Sequence, residues 1–199
     1  VAAAKALGAE VRAFDTRKAT KEQVESLGAK FLTVEIEEEG EGGGGYAKEM
    51  SPAFIAAEMA LFKQQASECD LIVTTALIPG KKAPTLIKKE AVDVMKRGSV
   101  IVDLAAEQGG NCELTVPNQV ITTDNGVIVV GLTDLPSRMG ASASRLFANN
   151  IVHLMSELVD GGKVHWDLED DVIRPALVTH EGEVLERPSP KPVVPPPRP

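Results

Sequence analysis

The chain is poor in residues that bind metal, form crosslinks or enter a membrane. It has two cysteines and three histidines in 199 residues. Cys69 and Cys112 lie far apart without Cys-x-x-Cys spacing and with no nearby His, so neither a metal site nor a disulfide framework is indicated, and a reducing compartment suits the chain. His165 and His180 lack a second ligand at metal spacing, and His153 falls on the apolar side of a helical stretch, where a core or interface role is expected. No apolar run approaches the roughly 20 residues of a membrane helix, and no signal or transit peptide is visible, so the chain reads as soluble. Basic excess is also missing. A net charge of -8 argues against nucleic acid as a partner, because phosphate binding requires a basic face.

What is present is an alternation of apolar strands and amphipathic helices, the signature of a parallel α/β sheet. Residues 1–8 read as the last turns of a helix stopped by Gly8. Strands are expected at 10–15 and 30–36, around a helix at 20–28 capped by Thr20 and stopped by Gly28. Ser51 and Pro52 form a helix start, and Phe54, Ile55, Met59, Leu61 and Phe62 give that helix a buried face. The run 70–77 is a nearly unbroken apolar strand, as expected in a sheet covered on both faces. A second helix is expected over 84–98 from the spacing of Leu86, Ile87, Ala91, Val94 and Met95, before a strand at 99–105. Two shorter strands flank the Asn125-Gly126 turn. A long helix over 144–159 carries an apolar stripe of Leu146, Phe147, Ile151, Leu154, Met155 and Leu158, wide enough to meet a second subunit. Residues 166–185 suggest a small hairpin with Glu181-Gly182 at its tip, and the proline-rich end forms an extended spacer.

The expected fold is therefore a Rossmann-like, doubly wound parallel α/β sheet, followed by a helix, a small hairpin and a proline-rich tail. Its expected parts are a dinucleotide-binding domain over 1–160 whose first strand and glycine-rich turn would precede Val1, an appended region over 161–186 and a linker over 187–199.

Several residues in this frame carry chemistry. Asp15 closes a strand where a dinucleotide-binding fold places the carboxylate that accepts hydrogen bonds from adenosine ribose; the other reading is a helix-capping Asp. An acid there favours NAD over its phosphorylated form, and Arg17 and Lys18 nearby weaken that preference. Gly42 to Gly45, followed by Tyr46, the one tyrosine of the chain, suggest a closing lid whose ring covers a planar ligand; the bland alternative is an acidic, solvated linker. Thr74, Thr75 and the backbone of residues 76–78 leave the carboxyl end of a strand, where open α/β sheets bind ligands. Asp103, Glu107 and Gly109-Gly110 end the next strand in the same way. Glu107 is a candidate acid/base, against the commoner reading of a solvated loop carboxylate. Asp134 can reach the same crevice, with helix capping by Asp134 or Ser137 as its alternative.

The segments FDTRKATKEQVESLGAKFLTVEI, GGGYAKEM, TTALIPGKKAP, VIVDLAAEQGGNCEL and TDLPSR, in this order, resemble the NAD(H)-binding domain of proton-translocating NAD(P) transhydrogenase over roughly residues 1–160. The resemblance implies a homodimer that binds NAD(H) through Asp15, Thr16, Gly45, Tyr46, Thr75, Ala76, Leu77 and Glu107, with no catalytic side chain and no metal ligand. It implies direct hydride transfer from NADH to NADP⁺ on a partner NADP(H)-binding domain, coupled to proton movement through a membrane-spanning domain. The location it implies is peripheral, on the inner face of a bacterial cytoplasmic membrane or the matrix side of the mitochondrial inner membrane. Alanine dehydrogenase is a relative of the same architecture. Its pattern has Asp where this chain has Glu107, and Asn-Met-Pro where this chain reads Asp134-Leu135-Pro136. A non-catalytic dinucleotide-binding module is the alternative of a different class.

Overall fold

A computed structural model describes residues 1–36, 50–77 and 81–186. The chain divides into two compact units, Val1–Thr133 and the part from Asp134 onward. The break falls before the long helix.

The first unit begins with helix α1 (Ala2–Ala6), strand β1 (Arg12–Ala13), helix α2 (Thr20–Ser26) and strand β2 (Lys30–Phe31). β1 and β2 pair in parallel, Arg12 opposite Lys30 and Ala13 opposite Phe31. Both are much shorter than the expected 10–15 and 30–36, because each pairs only with the other, and a two-stranded parallel ladder has little to extend it. Thr20 does not cap α2 by accepting an N–H. Its hydroxyl instead donates to the Arg17 carbonyl at 2.7 Å.

Helix α3 (Pro52–Glu68) starts as its sequence dictates: Pro52 fills the first turn, and the Ser51 hydroxyl accepts the Phe54 N–H at 3.2 Å. It leads into β3 (Leu71–Thr74), the outer strand of a four-stranded sheet with order β3-β4-β6-β5, where β4 is Val100–Asp103, β5 Val120–Thr122 and β6 Ile128–Val130. β3, β4 and β6 are parallel, and β5 returns antiparallel beside β6. The β5–β6 turn is the one expected at Asn125-Gly126, with Gly126 at φ 85°. Ile101, Val127 and Val129 are fully buried and join Ala66, Ile87, Ala91, Val92, Met95 and Cys112 in one core, against which Phe62 and Ile72 pack.

The helix expected over 84–98 contracts to α4 (Lys89–Val92). Leu86 and Ile87 are pulled out of it because both N–H groups donate to the Asn111 carbonyl, and Ile87 forms a parallel bridge with Cys112. The apolar spacing still predicts burial, since Ile87, Ala91 and Met95 all reach the core.

The second unit holds α5 (Leu135–Arg138), the long α6 (Gly140–Leu158), hairpin β7–β8 (Val159–Asp160, Lys163–Val164), α7 (Ile173–Ala176) and hairpin β9–β10 (Thr179–His180, Glu183–Val184). The tip of the last hairpin is Glu181-Gly182, both with positive φ. Residues 173–176 are helical because the Asp170 carboxylate accepts the Val172 and Ile173 N–H groups at 2.8 and 2.7 Å and caps that turn. α6 buries none of its residues: Leu146, Phe147, Ile151 and Met155 are 44–67% exposed, and His153 is exposed rather than in a core. No helix among the described residues is long and apolar enough to cross a membrane.

Candidate functional site

The parallel strands of the first unit deliver their carboxyl ends to loops, and each described residue expected to bind the cofactor lies at one of them. Asp15 and Thr16 follow β1, Thr75, Ala76 and Leu77 follow β3, and Glu107 follows β4. Gly45 and Tyr46 lie outside the described residues, as does Ile78.

Two buried polar side chains build this end of the sheet. Asp103, the last residue of β4, is 0% exposed. Its Oδ1 accepts the Ala105 N–H at 3.0 Å, and Oδ2 accepts the N–H groups of Asn111 and Cys112 at 2.7 and 3.0 Å and the Thr115 hydroxyl at 2.6 Å. Four donors thus converge on one carboxylate and curl residues 104–111 back over the strand end. Gly110 makes this possible, because at φ 79° a Cβ there would stand 2.7 Å from Asp103 Oδ2.

Asn111, also fully buried, ties that loop to the one after β3. Its amide donates to the Ala76 and Pro84 carbonyls at 2.8 Å each, and its Oδ1 accepts the Ala76 N–H at 3.0 Å. Ala76 therefore presents a backbone held on both its N–H and its C=O, while Thr75 and Leu77 on either side of it are exposed. Neither Asp103 nor Asn111 was assigned this role from sequence. The only local signal is the Gly-Gly-Asn run, since the partners lie up to 35 positions away.

Asp15 is half-buried and clamped by Arg17. Its Oδ1 accepts the Arg17 backbone N–H at 2.8 Å and Nε–H at 2.9 Å, and Oδ2 accepts an Nη2–H at 2.7 Å. Burial pushes this carboxyl up, but the Arg17 hydrogen bonds and charge outweigh it, and the net shift is downward. Asp15 is a carboxylate at neutral pH with lone pairs to spare beyond those Arg17 uses. It is not a helix cap, since α2 has no side-chain cap bond.

Glu107 is exposed in a single 3₁₀ turn, Ala106–Gln108, which fits a solvated carboxylate better than a poised acid/base. Asp134 accepts from Arg138 Nε at 2.7 Å on the surface and makes no cap bond to α5. Among the described residues, one polar group at this end lacks a partner. The Thr74 hydroxyl is buried at the end of β3 without a hydrogen bond. Glu58, 6% exposed on the buried stripe of α3 with Phe54 and Ala66, is shifted upward by burial.

Comparison with known proteins gives this geometry relatives. The family model for alanine dehydrogenase/PNT, C-terminal domain, matches residues 1–187. The NAD(P) transhydrogenase subunit alpha of Cereibacter sphaeroides is 52% identical over 188 residues, 92% of this chain but 36% of that protein. The crystal structure of transhydrogenase from Sinorhizobium meliloti superimposes with a TM-score of 0.68 at 39% identity, covering 93% of this chain and 48% of that one. Alanine dehydrogenase 1 of Staphylococcus aureus is more distant, 28% identical over 127 residues, 62% of this chain. The chain thus spans between about a third and a half of the length of the relatives it matches most fully.

Proposed function

Because the chain belongs to the family of alanine dehydrogenase/PNT C-terminal domains, we propose that it is the NAD(H)-binding part of a proton-translocating NAD(P) transhydrogenase. The observation that carries this reading is a carboxylate, Asp15, held ionised at the carboxyl end of a parallel strand, in the same unit as a backbone segment at Ala76 fixed by a buried Asn111. Such a pair fits a dinucleotide. The carboxylate accepts ribose hydroxyl protons, and exposed backbone beside a strand end lies against a flat ring system without steric cost.

NAD(H), when bound, would donate the hydride as NADH to NADP⁺ on a partner domain, or accept it as NAD⁺ from NADPH there. This chain's residues bind and orient. Asp15, with Thr16 beside it, takes the ribose and disfavours a 2′-phosphate by charge. Thr75, Ala76 and Leu77 line the cofactor at the end of β3, and the unpartnered Thr74 hydroxyl beneath them is free to donate. Glu107 flanks the site from the β4 loop. Gly45 and Tyr46 are assigned a covering role from the resemblance alone. No side chain needs to transfer a proton, because bringing two nicotinamides together and excluding water carries the rate. The same reading gives the chain a membrane-spanning proton-translocating partner, a peripheral place on that membrane and a second copy of itself.

An alanine dehydrogenase-like activity is disfavoured, because the match is distant and Glu107 and Asp134 depart from that pattern. A non-catalytic binding module is the reading of a different class. Hydride transfer between NADH and NADP⁺, assayed after adding the NADP(H)-binding and membrane domains, separates these readings: transfer supports the transhydrogenase, and NADH binding without transfer supports the module. Within the full-length protein, Asp15→Asn should weaken NADH binding by roughly 1.5–3 kcal/mol in calorimetry while the fold survives. Unchanged affinity would remove Asp15 from the site.

A further inference from the structure

The turn over residues 15–20, between β1 and α2, is closed by its backbone. The Arg17 N–H donates to Asp15 Oδ1 at 2.8 Å, and the Arg17 carbonyl accepts the Thr20 hydroxyl at 2.7 Å and the Thr20 N–H at 3.2 Å. These bonds orient Asp15 without help from the guanidinium. The Arg17 side chain adds a second hold. Its Nε–H goes to Oδ1 at 2.9 Å and an Nη2–H to Oδ2 at 2.7 Å, so one edge of the guanidinium meets both carboxylate oxygens with two parallel donors. This pair is not sealed in a core. The side chains of Arg17 and Asp15 are 34% and 28% exposed, within reach of a ligand.

Two parallel donors, one to each oxygen, is also the pattern that a vicinal ribose diol presents to a carboxylate. Oδ1 already carries two donors, so its lone pairs are filled, and only Oδ2 has room for a hydroxyl beside Nη2. A diol therefore seats on both oxygens only after the guanidinium edge swings away. A 2′-phosphate makes the opposite demand. It brings no hydroxyl at that position and is repelled by the carboxylate, but its oxygens accept from a guanidinium edge as the carboxylate does.

We propose that Arg17 occupies the ribose subsite as an internal stand-in for the diol and thereby sets the cofactor preference. NAD(H) has to displace the guanidinium from Asp15, whereas the displaced guanidinium is the group that receives the 2′-phosphate of a phosphorylated dinucleotide. Arg17 thus lowers the affinity for NAD(H) and supplies affinity for NADP(H), so the site discriminates less than Asp15 alone would make it. The side chain is able to move because the backbone bonds among Asp15, Arg17 and Thr20 stay in place. The proposal rests on the assignment of Asp15 to the ribose.

The test compares the full-length protein with its Arg17→Gln variant by calorimetric titration with NADH and with NADPH. A half-exposed ion pair is a weak competitor, so NADH binding should tighten by about threefold to fivefold. NADPH binding should weaken by at least about tenfold, because a bidentate charge-assisted contact to phosphate is lost. Arg17→Lys keeps the charge, but one ammonium cannot span both oxygens; it should tighten NADH binding while retaining more NADPH affinity than Arg17→Gln, and it carries the test if the Gln variant does not fold. In an Asp15→Asn background the NADH gain from Arg17→Gln should fall below about twofold, since the two residues act on one subsite. A merely structural Arg17 weakens both cofactors when replaced, and that result, or an NADH gain that persists without the Asp15 charge, overturns the proposal. The failures are distinguishable. Unchanged NADH affinity in Asp15→Asn alone sinks the ribose assignment itself, whereas weaker NADH binding in both single variants keeps that assignment and sinks the role given to Arg17.

Discussion

The loop that closes on Asp103 and the long helix α6 invert what their sequences advertise. Residues 103–111 have no strong periodicity, yet Asp103 and Asn111 are 0% exposed and their side chains together make seven hydrogen bonds. α6 has a wide apolar stripe over 19 residues and buries none of them. A periodic pattern states that a helix will form and which face is greasy, but it does not say what covers that face. A buried polar network carries no pattern, and it is costly to disturb because each of its donors is already out of water.

The contrast is broken most severely by Asp103→Ala. It strands three backbone N–H groups and the Thr115 hydroxyl in the interior, and should cost at least about 3 kcal/mol in urea unfolding. Asn111→Ala should cost about 2 kcal/mol and also speed amide exchange at Ala76, which loses its only side-chain acceptor. A loss under 0.5 kcal/mol for either variant, on the order of a surface change, would mean that water replaces the network.

Glu58→Gln runs the other way. Burial raises the folded carboxyl above its unfolded value, so Glu58 supports folding fully only in acid, and that support is lost as pH rises through the raised value. The Gln variant should match the parent in acid and gain about 1 kcal/mol at neutral pH. A gain that is flat with pH would show that charge is not the cause. Smallest of all, Phe147→Ser on α6 should change the stability of the isolated chain by less than about 0.5 kcal/mol. A loss several times larger would show that the stripe is covered within the chain. If the same variant shifts a dimer toward monomer in sedimentation of the full-length protein, the stripe meets a second subunit there.

Much of the fold was readable. The Ser51-Pro52 start of α3 and the Asn125-Gly126 turn follow from residues within a few positions of one another, and the parallel order of β3 and β4 from the alternation of strands and helices. The expected helix over 84–98 shows where reading stops. Leu86 and Ile87 have helical spacing, but the Asn111 carbonyl, 24 positions past Ile87, accepts both of their N–H groups and holds them extended. The candidate site was legible as a set of strand ends and not as a geometry. Thr75 and Ala76 were placed correctly after β3, while the side chain that holds Ala76 was invisible, and the Arg17 clamp on Asp15 looked like a nearby charge rather than three hydrogen bonds.

By itself the sequence determined the alternation of strands and helices, the parallel sense of the sheet and the carboxyl ends at which a ligand can sit, because burial periodicity and turn chemistry are local. Tertiary structure alone decided which polar groups hold those ends together. It also decided why two glycines stand where they do: a Cβ on Gly131 would lie 2.4 Å from the Val116 carbonyl oxygen, and one on Gly110 would press on Asp103. These are contacts between segments that only folding brings into reach, and their energy depends on water being excluded from both partners at once.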